Sequence, residues 1–166
     1  MTTTSTFCIG STDATIVARV TGHGTRDHCV AFVEEVTAAV QQADDHTLIV
    51  DVEQCEYLDS TFLGCLVTLY QKTETRMSVC ASDQQKKKLF SSARIDRLIP
   101  IRQPADVMEP DQWHPICNST DVETTVLVKR VAEAHRRLAE IEGPNAAVYG
   151  QVADQLESEL RTRKPK

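Results

Sequence analysis

Thr47-Leu48-Ile49-Val50-Asp51-Val52 is an almost unbroken apolar, β-branched run. A strand with one wet face alternates apolar and polar residues. A run without alternation is covered on both faces, as in a parallel sheet flanked by helices. This one segment therefore asks for a layered α/β architecture, and the neighbouring segments can be read against that demand.

Upstream, Phe7-Cys8-Ile9 reads as a short strand. Ala14 to Thr21 alternates, with Ala14, Ile16, Ala18 and Val20 on one side and Thr15, Val17, Arg19 and Thr21 on the wetter one. Gly22-His23-Gly24-Thr25 breaks that strand. Val30, Val33, Thr37 and Val40 then recur at helical spacing, up to Asp44-Asp45-His46. Downstream, a helix is expected from about Thr61 to Thr73, apolar over much of its circumference. A short strand over Met77 to Ala81 follows, then a helix from Asp83 to about Ala93 with Lys86-Lys87-Lys88 in water, and a last strand over Leu98 to Ile101. Alternating strands and helices predict an α/β sandwich, a small mixed sheet packed with helices.

From Arg102 the texture changes. Pro104, Pro110, Pro115 and Trp113, the single tryptophan, fall in a segment without periodicity, which reads as a linker or strap with Trp113 pinning it to the domain. Thr124, Leu127, Val131, Ala134, Leu138 and Ile141 are spaced alternately three and four apart. Gly143-Pro144-Asn145 ends that helix, and Val148, Val152 and Leu156 restart it. The expected organisation is a domain over 7–101, a Pro-rich strap over 102–118 and a helical hairpin over 119–162, with a frayed basic tail from Arg161. The 127–141 seam either packs the hairpin on the domain or forms an oligomer interface.

A net charge of −6 argues against nucleic acid or an anionic membrane as the main partner, since both select basic surfaces. Residues 1–6 have neither the basic nor the apolar part of a secretory signal and read as a disordered lead-in. The six cysteines, Cys8, Cys29, Cys55, Cys65, Cys80 and Cys117, include no C-x-x-C pair, so free thiols in a reducing cytoplasm are expected. His23, His28, His46, His114 and His135 lack zinc-site spacing, and neither a metal nor another cofactor is expected. Gly22-His23-Gly24-Thr25 lacks the lysine of a phosphate-binding P-loop.

Asp59-Ser60-Thr61 stands where the buried strand gives way to a helix. Ser and Asp are favoured at that place because their oxygens accept from the unpaired N–H groups of the first turn. Ser60 can therefore be read as a helix cap and nothing more. The same free N–H groups and positive dipole end tolerate a phosphate. A phosphorylated Ser60 would carry about −1.5 to −2 charges beside Asp59 and repel a partner docking over Phe62 and Leu63.

Leu48-Ile49-Val50-Asp51-Val52 followed by Tyr57-Leu58-Asp59-Ser60-Thr61-Phe62-Leu63-Gly64 resembles the STAS domain of anti-sigma factor antagonists. That family reads I-V-L-D-L-S and then F-M-D-S-S-G-L-G. The element order over 7–101 agrees, including the strand at Leu98-Ile99-Pro100-Ile101. The resemblance implies a STAS-like fold and a non-enzymatic cytoplasmic regulator. Its partner would be an anti-sigma factor that is also a serine kinase, with a phosphatase resetting the switch. It makes Ser60 the phosphoacceptor and gives partner-binding roles to Asp59, Thr61, Phe62, Leu63, Gly64, Gly24 and Thr25. Phe62 stands where the family has glycine, and no acid follows Gly22 at the place where the family's first loop carries one. The hairpin lies beyond the usual domain, as an added docking element or a route to a homodimer. Two other readings stand beside this one: a phosphorylation-independent scaffold in which Ser60 only caps, and a small enzyme built on His23 and Cys29.

Overall fold

The structure is a computed structural model that describes residues 4–43, 45–74, 76–117 and 122–162. The first three residues of the expected lead-in, the first residues of the expected hairpin segment and the end of the basic tail lie outside that set.

The chain opens with strands β1 (Thr6–Ser11) and β2 (Thr15–Gly24), an antiparallel pair in which Thr6 faces Thr21. Helix α1 (Arg26–Gln42) returns the chain to β3 (Thr47–Asp51), parallel to β2. A short strand β4 (Cys55–Leu58) then pairs with the far end of β2 and leads into α2 (Ser60–Lys72). Strand β5 (Met77–Cys80), helix α3 (Asp83–Phe90) and the two-residue strand β6 (Ile101–Arg102) complete the parallel part. Strand β7 (His114–Pro115) adds to the free side of β1, giving the order β6-β5-β3-β2-β1-β7. Helices α4 (Thr124–Ala139) and α5 (Ala146–Thr162) close the chain.

β3 is central, and its buried residues Leu48, Ile49 and Val50 explain the run without alternation. On one face of the sheet, Ile16, Ala18, Val20, Leu48 and Val50 join the main core under α1 and α2. The rings of Phe7, Phe32 and Phe62 meet at that core's centre, with centroids 5.0–6.0 Å apart. On the other face Arg19 pairs with Asp51 at 2.9 Å and with Glu109 of the strap. Trp113 covers Arg19, its ring centroid 4.4 Å from the guanidinium carbon, so the tryptophan does pin the strap through a cation–π contact.

Four expectations need correction. Leu98 to Ile101 is not a strand: Ile95–Arg97 form a 3₁₀ turn, Leu98 is exposed, and pairing starts only at Ile101. The third helix stops at Phe90 rather than near Ala93. β4 was not foreseen, because Glu56 and Tyr57 point outward and leave a four-residue strand with few apolar residues. The strap is not wholly irregular, since β7 hydrogen-bonds to the sheet and the Ile116 N–H donates to the Phe7 carbonyl at 2.8 Å.

Candidate functional site

The end of β2, the end of β4 and the start of α2 converge at Asp59. The Asp59 N–H donates to the Gly24 carbonyl at 3.0 Å. The Asp59 carboxylate accepts from the Phe62 N–H through Oδ1 and from the Arg26 N–H through Oδ2, both at 2.8 Å. One carboxylate thus caps α2 and ties it to the first turn of α1. Gly24 is glycine for lack of room: a Cβ there would lie 2.6 Å from the Leu58 side chain and 3.1 Å from the Phe62 ring. Thr25 precedes α1, its N–H donating to His28 Nδ1 at 3.2 Å. The structure therefore brings Gly24, Thr25, Asp59 and Ser60 together.

Ser60 is not the cap. Asp59 holds that position, and Ser60 is the first residue inside the helix. Both residue types cap well and they are adjacent, so the sequence does not separate them. The capping-only reading of Ser60 falls with this observation. Its hydroxyl instead meets His135 of α4, with Oγ 2.9 Å from Nε2. His135 Nδ1 lies 2.7 Å from the Val131 carbonyl, one turn back in α4. A carbonyl only accepts, so Nδ1 carries the proton, and in the neutral ring Nε2 accepts from Ser60. Among the five histidines only His135 is buried, at 6% exposure, and this geometry satisfies both of its nitrogens.

The other docking candidates lie inward. Phe62 belongs to the core ring cluster, and Thr61 and Leu63 are buried as well. In this conformation Phe62 and Leu63 offer nothing to an outside partner, which corrects the expectation of docking over them. A ring replaces the family's glycine here because it fills space beside Phe7 and Phe32 rather than standing next to the acceptor. Gly64 lies one turn after Ser60 on the same face of α2. A Cβ at Gly64 would sit 2.5 Å from the Ala134 Cα, and closer still to its carbonyl oxygen. The α2 and α4 backbones touch there with no side chain between them.

The hairpin is held elsewhere too. The Asn145 amide and the Tyr149 hydroxyl donate to the Ser92 carbonyl at 3.1 and 3.4 Å, and Arg97 donates to the Glu142 carbonyl at 2.8 Å. Arg136 joins α4 to α5 through Glu157 and Asp154. The 127–141 seam thus packs within the chain, of its two expected fates.

The small-enzyme reading loses its thiol. Cys29 is fully buried, and burial, together with its neighbour Cys65, pushes it well above the ordinary thiol value. His23 is exposed and lies 3.6 Å from Glu56. No group of three metal-ligating side chains occurs among the described residues. Sequence reasoning noticed His135 only as a stray metal ligand. The signal it missed was a histidine set among the small apolar residues of the α4 seam.

A crystal structure of an anti-sigma factor antagonist from Mycobacterium paratuberculosis is similar to this chain at 25% identity and a TM-score of 0.51. The match covers 61% of this chain and 86% of that one. A search of curated proteins gives no match. The family described as "Mlab, STAS domain" matches residues 8–100, which hold β1 from Cys8, β2 to β5 and α1 to α3 but neither β6, β7, α4 nor α5. With more than half its length matched, and with the strand-to-helix junction at Asp59-Ser60 folded as described, the chain belongs to the STAS domain family.

Proposed function

We propose that this protein is a regulatory protein-binding module, an anti-sigma factor antagonist of the cytoplasm. Its docking to an anti-sigma factor that is also a serine kinase is switched by phosphorylation of Ser60, and a phosphatase reverses the switch. The observation that carries the reading is the division of labour at the junction. Asp59 does the capping, so the Ser60 hydroxyl stands at the helix mouth without a capping task, paired with His135 instead. The likeness to an anti-sigma factor antagonist supports the same class. Gly24, Thr25, Asp59 and Gly64 then flank the acceptor in the recognition surface, and nothing in this role requires catalysis by the chain itself. Self-association through the hairpin would have to use what its inward stripe leaves outside, such as Val126 and Val148, both exposed.

The test is incubation with ATP and a serine kinase of the anti-sigma factor class, followed by mapping of phosphate by mass. Modification of Ser60, and loss of partner binding on modification, is the expected result. Phosphate found only elsewhere, or a Ser60→Ala variant that still cycles on and off the partner, overturns the reading.

A further inference from the structure

The face of α2 that carries Ser60 and Gly64 is already occupied. At Gly64 the occupant's backbone lies against the α2 backbone, so nothing else can touch that residue while α4 is in place. At Ser60 the occupant supplies a buried imidazole whose Nε2 pairs with the hydroxyl at 2.9 Å. A helix that only needed to pack would place an apolar side chain at position 135, because a buried polar ring is costly unless every nitrogen is satisfied. Here Nδ1 is satisfied within α4 by the Val131 carbonyl, and Nε2 by Ser60. The hairpin that carries it lies outside the part of the chain matched by the STAS family.

We propose that α4 and α5 form an intramolecular ligand of the α2 docking face, with His135 reading the state of the Ser60 hydroxyl. The hairpin and an outside partner then compete for one surface, and the closed form is self-inhibited. A phosphate on Oγ removes the hydroxyl donor that pairs with His135 Nε2 and puts a bulky group of about −1.5 to −2 charges where α4 now lies over Ser60. Modification therefore expels the hairpin, while the same phosphate bars the partner from the face it uncovers. The partner's own contact element is expected to be a helix with a small residue opposite Gly64, since α4 solves the same problem with Ala134. The inference rests on the reading of α2 as the docking face, but the closure itself needs no kinase.

The experiment is amide hydrogen exchange on the full chain, read by mass, for the native protein, Ser60→Ala, Gly64→Ala and protein carrying phosphoserine at position 60. Opening should speed exchange across 124–162 on the order of tenfold or more in Gly64→Ala and in the phosphoserine form, while β3 and β5 keep their protection. Ser60→Ala leaves His135 Nε2 without its donor and should also speed exchange in the hairpin, by less than Gly64→Ala because no backbone is pushed apart; a hairpin untouched by Ser60→Ala would show that His135 does not read the hydroxyl. An unaltered hairpin in Gly64→Ala overturns the proposal. So does slower exchange with phosphoserine, since His135 would then grip the phosphate instead of releasing it. If Gly64→Ala unfolds the whole domain, a Ser60→Cys chain decides, with alkylation mapped by mass. Position 60 should react on the order of tenfold more slowly than the exposed Cys117, and equal rates reject the cover. Failure of any kinase to modify Ser60 would sink the proposed switch and leave these results standing. A hairpin that never opens sinks the latch and leaves the switch.

Discussion

Replacing Asp59 by alanine removes two hydrogen bonds at once. The bond to the Phe62 N–H is a helix cap, and losing a cap costs about 0.5–2 kcal/mol. The bond to the Arg26 N–H is more exposed, so water replaces part of it, and its loss adds about 0.5–1.5 kcal/mol. The sum is about 1–3.5 kcal/mol, which lowers the melting temperature of a chain this long by roughly 2–14 °C. Asp59→Asn keeps an oxygen for the Phe62 N–H and should recover most of the cap, because asparagine caps as well as aspartate. Urea and thermal denaturation of both variants give the comparison. The reasoning fails if Asp59→Ala is neutral, or if asparagine does no better than alanine, since either result would mean that the carboxylate does not hold the two helix starts together.

Phe62→Ala should cost about 3–5 kcal/mol in denaturant titrations, because the ring is fully buried between Phe7 and Phe32; a near-neutral result would return Phe62 to the surface. His28 carries a pH dependence. Burial lowers it below its ordinary 6.5 against the opposing pull of Asp27 and Asp59, so the folded state favours the neutral ring that accepts from Thr25. The unfolded chain takes up its proton first as pH falls, so this contribution is present above pH 6.5 and is lost below it. His28→Gln keeps an acceptor without the titration, and its denaturation midpoint should fall less over that range.

Much of the fold was legible because burial writes directly into periodicity. Leu48 to Val50 showed no alternation because helices and strap cover both faces of β3. α2 was apolar nearly all round because it lies between the sheet on one side and α4 on the other, and the seam through Leu127, Val131, Ala134 and Leu138 announced that second contact. What stayed hidden depended on partners distant in sequence. Pairing with β2 makes Cys55–Leu58 a strand, and pairing with β1 makes His114–Pro115 one; neither segment has a pattern of its own. The site divides in the same way. Asp59 and Ser60 were visible as adjacent cap-type residues, but their roles depend on Arg26 and on His135, which stands 75 positions away. In sequence Phe62 and Leu63 look like surface because they follow the acceptor. Their burial follows from helix phase, which turns them toward the sheet.

The strap has a further consequence for how copies of this protein meet. Sheets left open along a long flank recruit strands from other chains, the usual start of aggregation. Here both flanks end in strands of only two residues, and the outermost one is half proline, which offers no amide hydrogen to a newcomer. Chain-to-chain zippering along the sheet is thereby discouraged, and assembly is steered toward the helical side of the molecule.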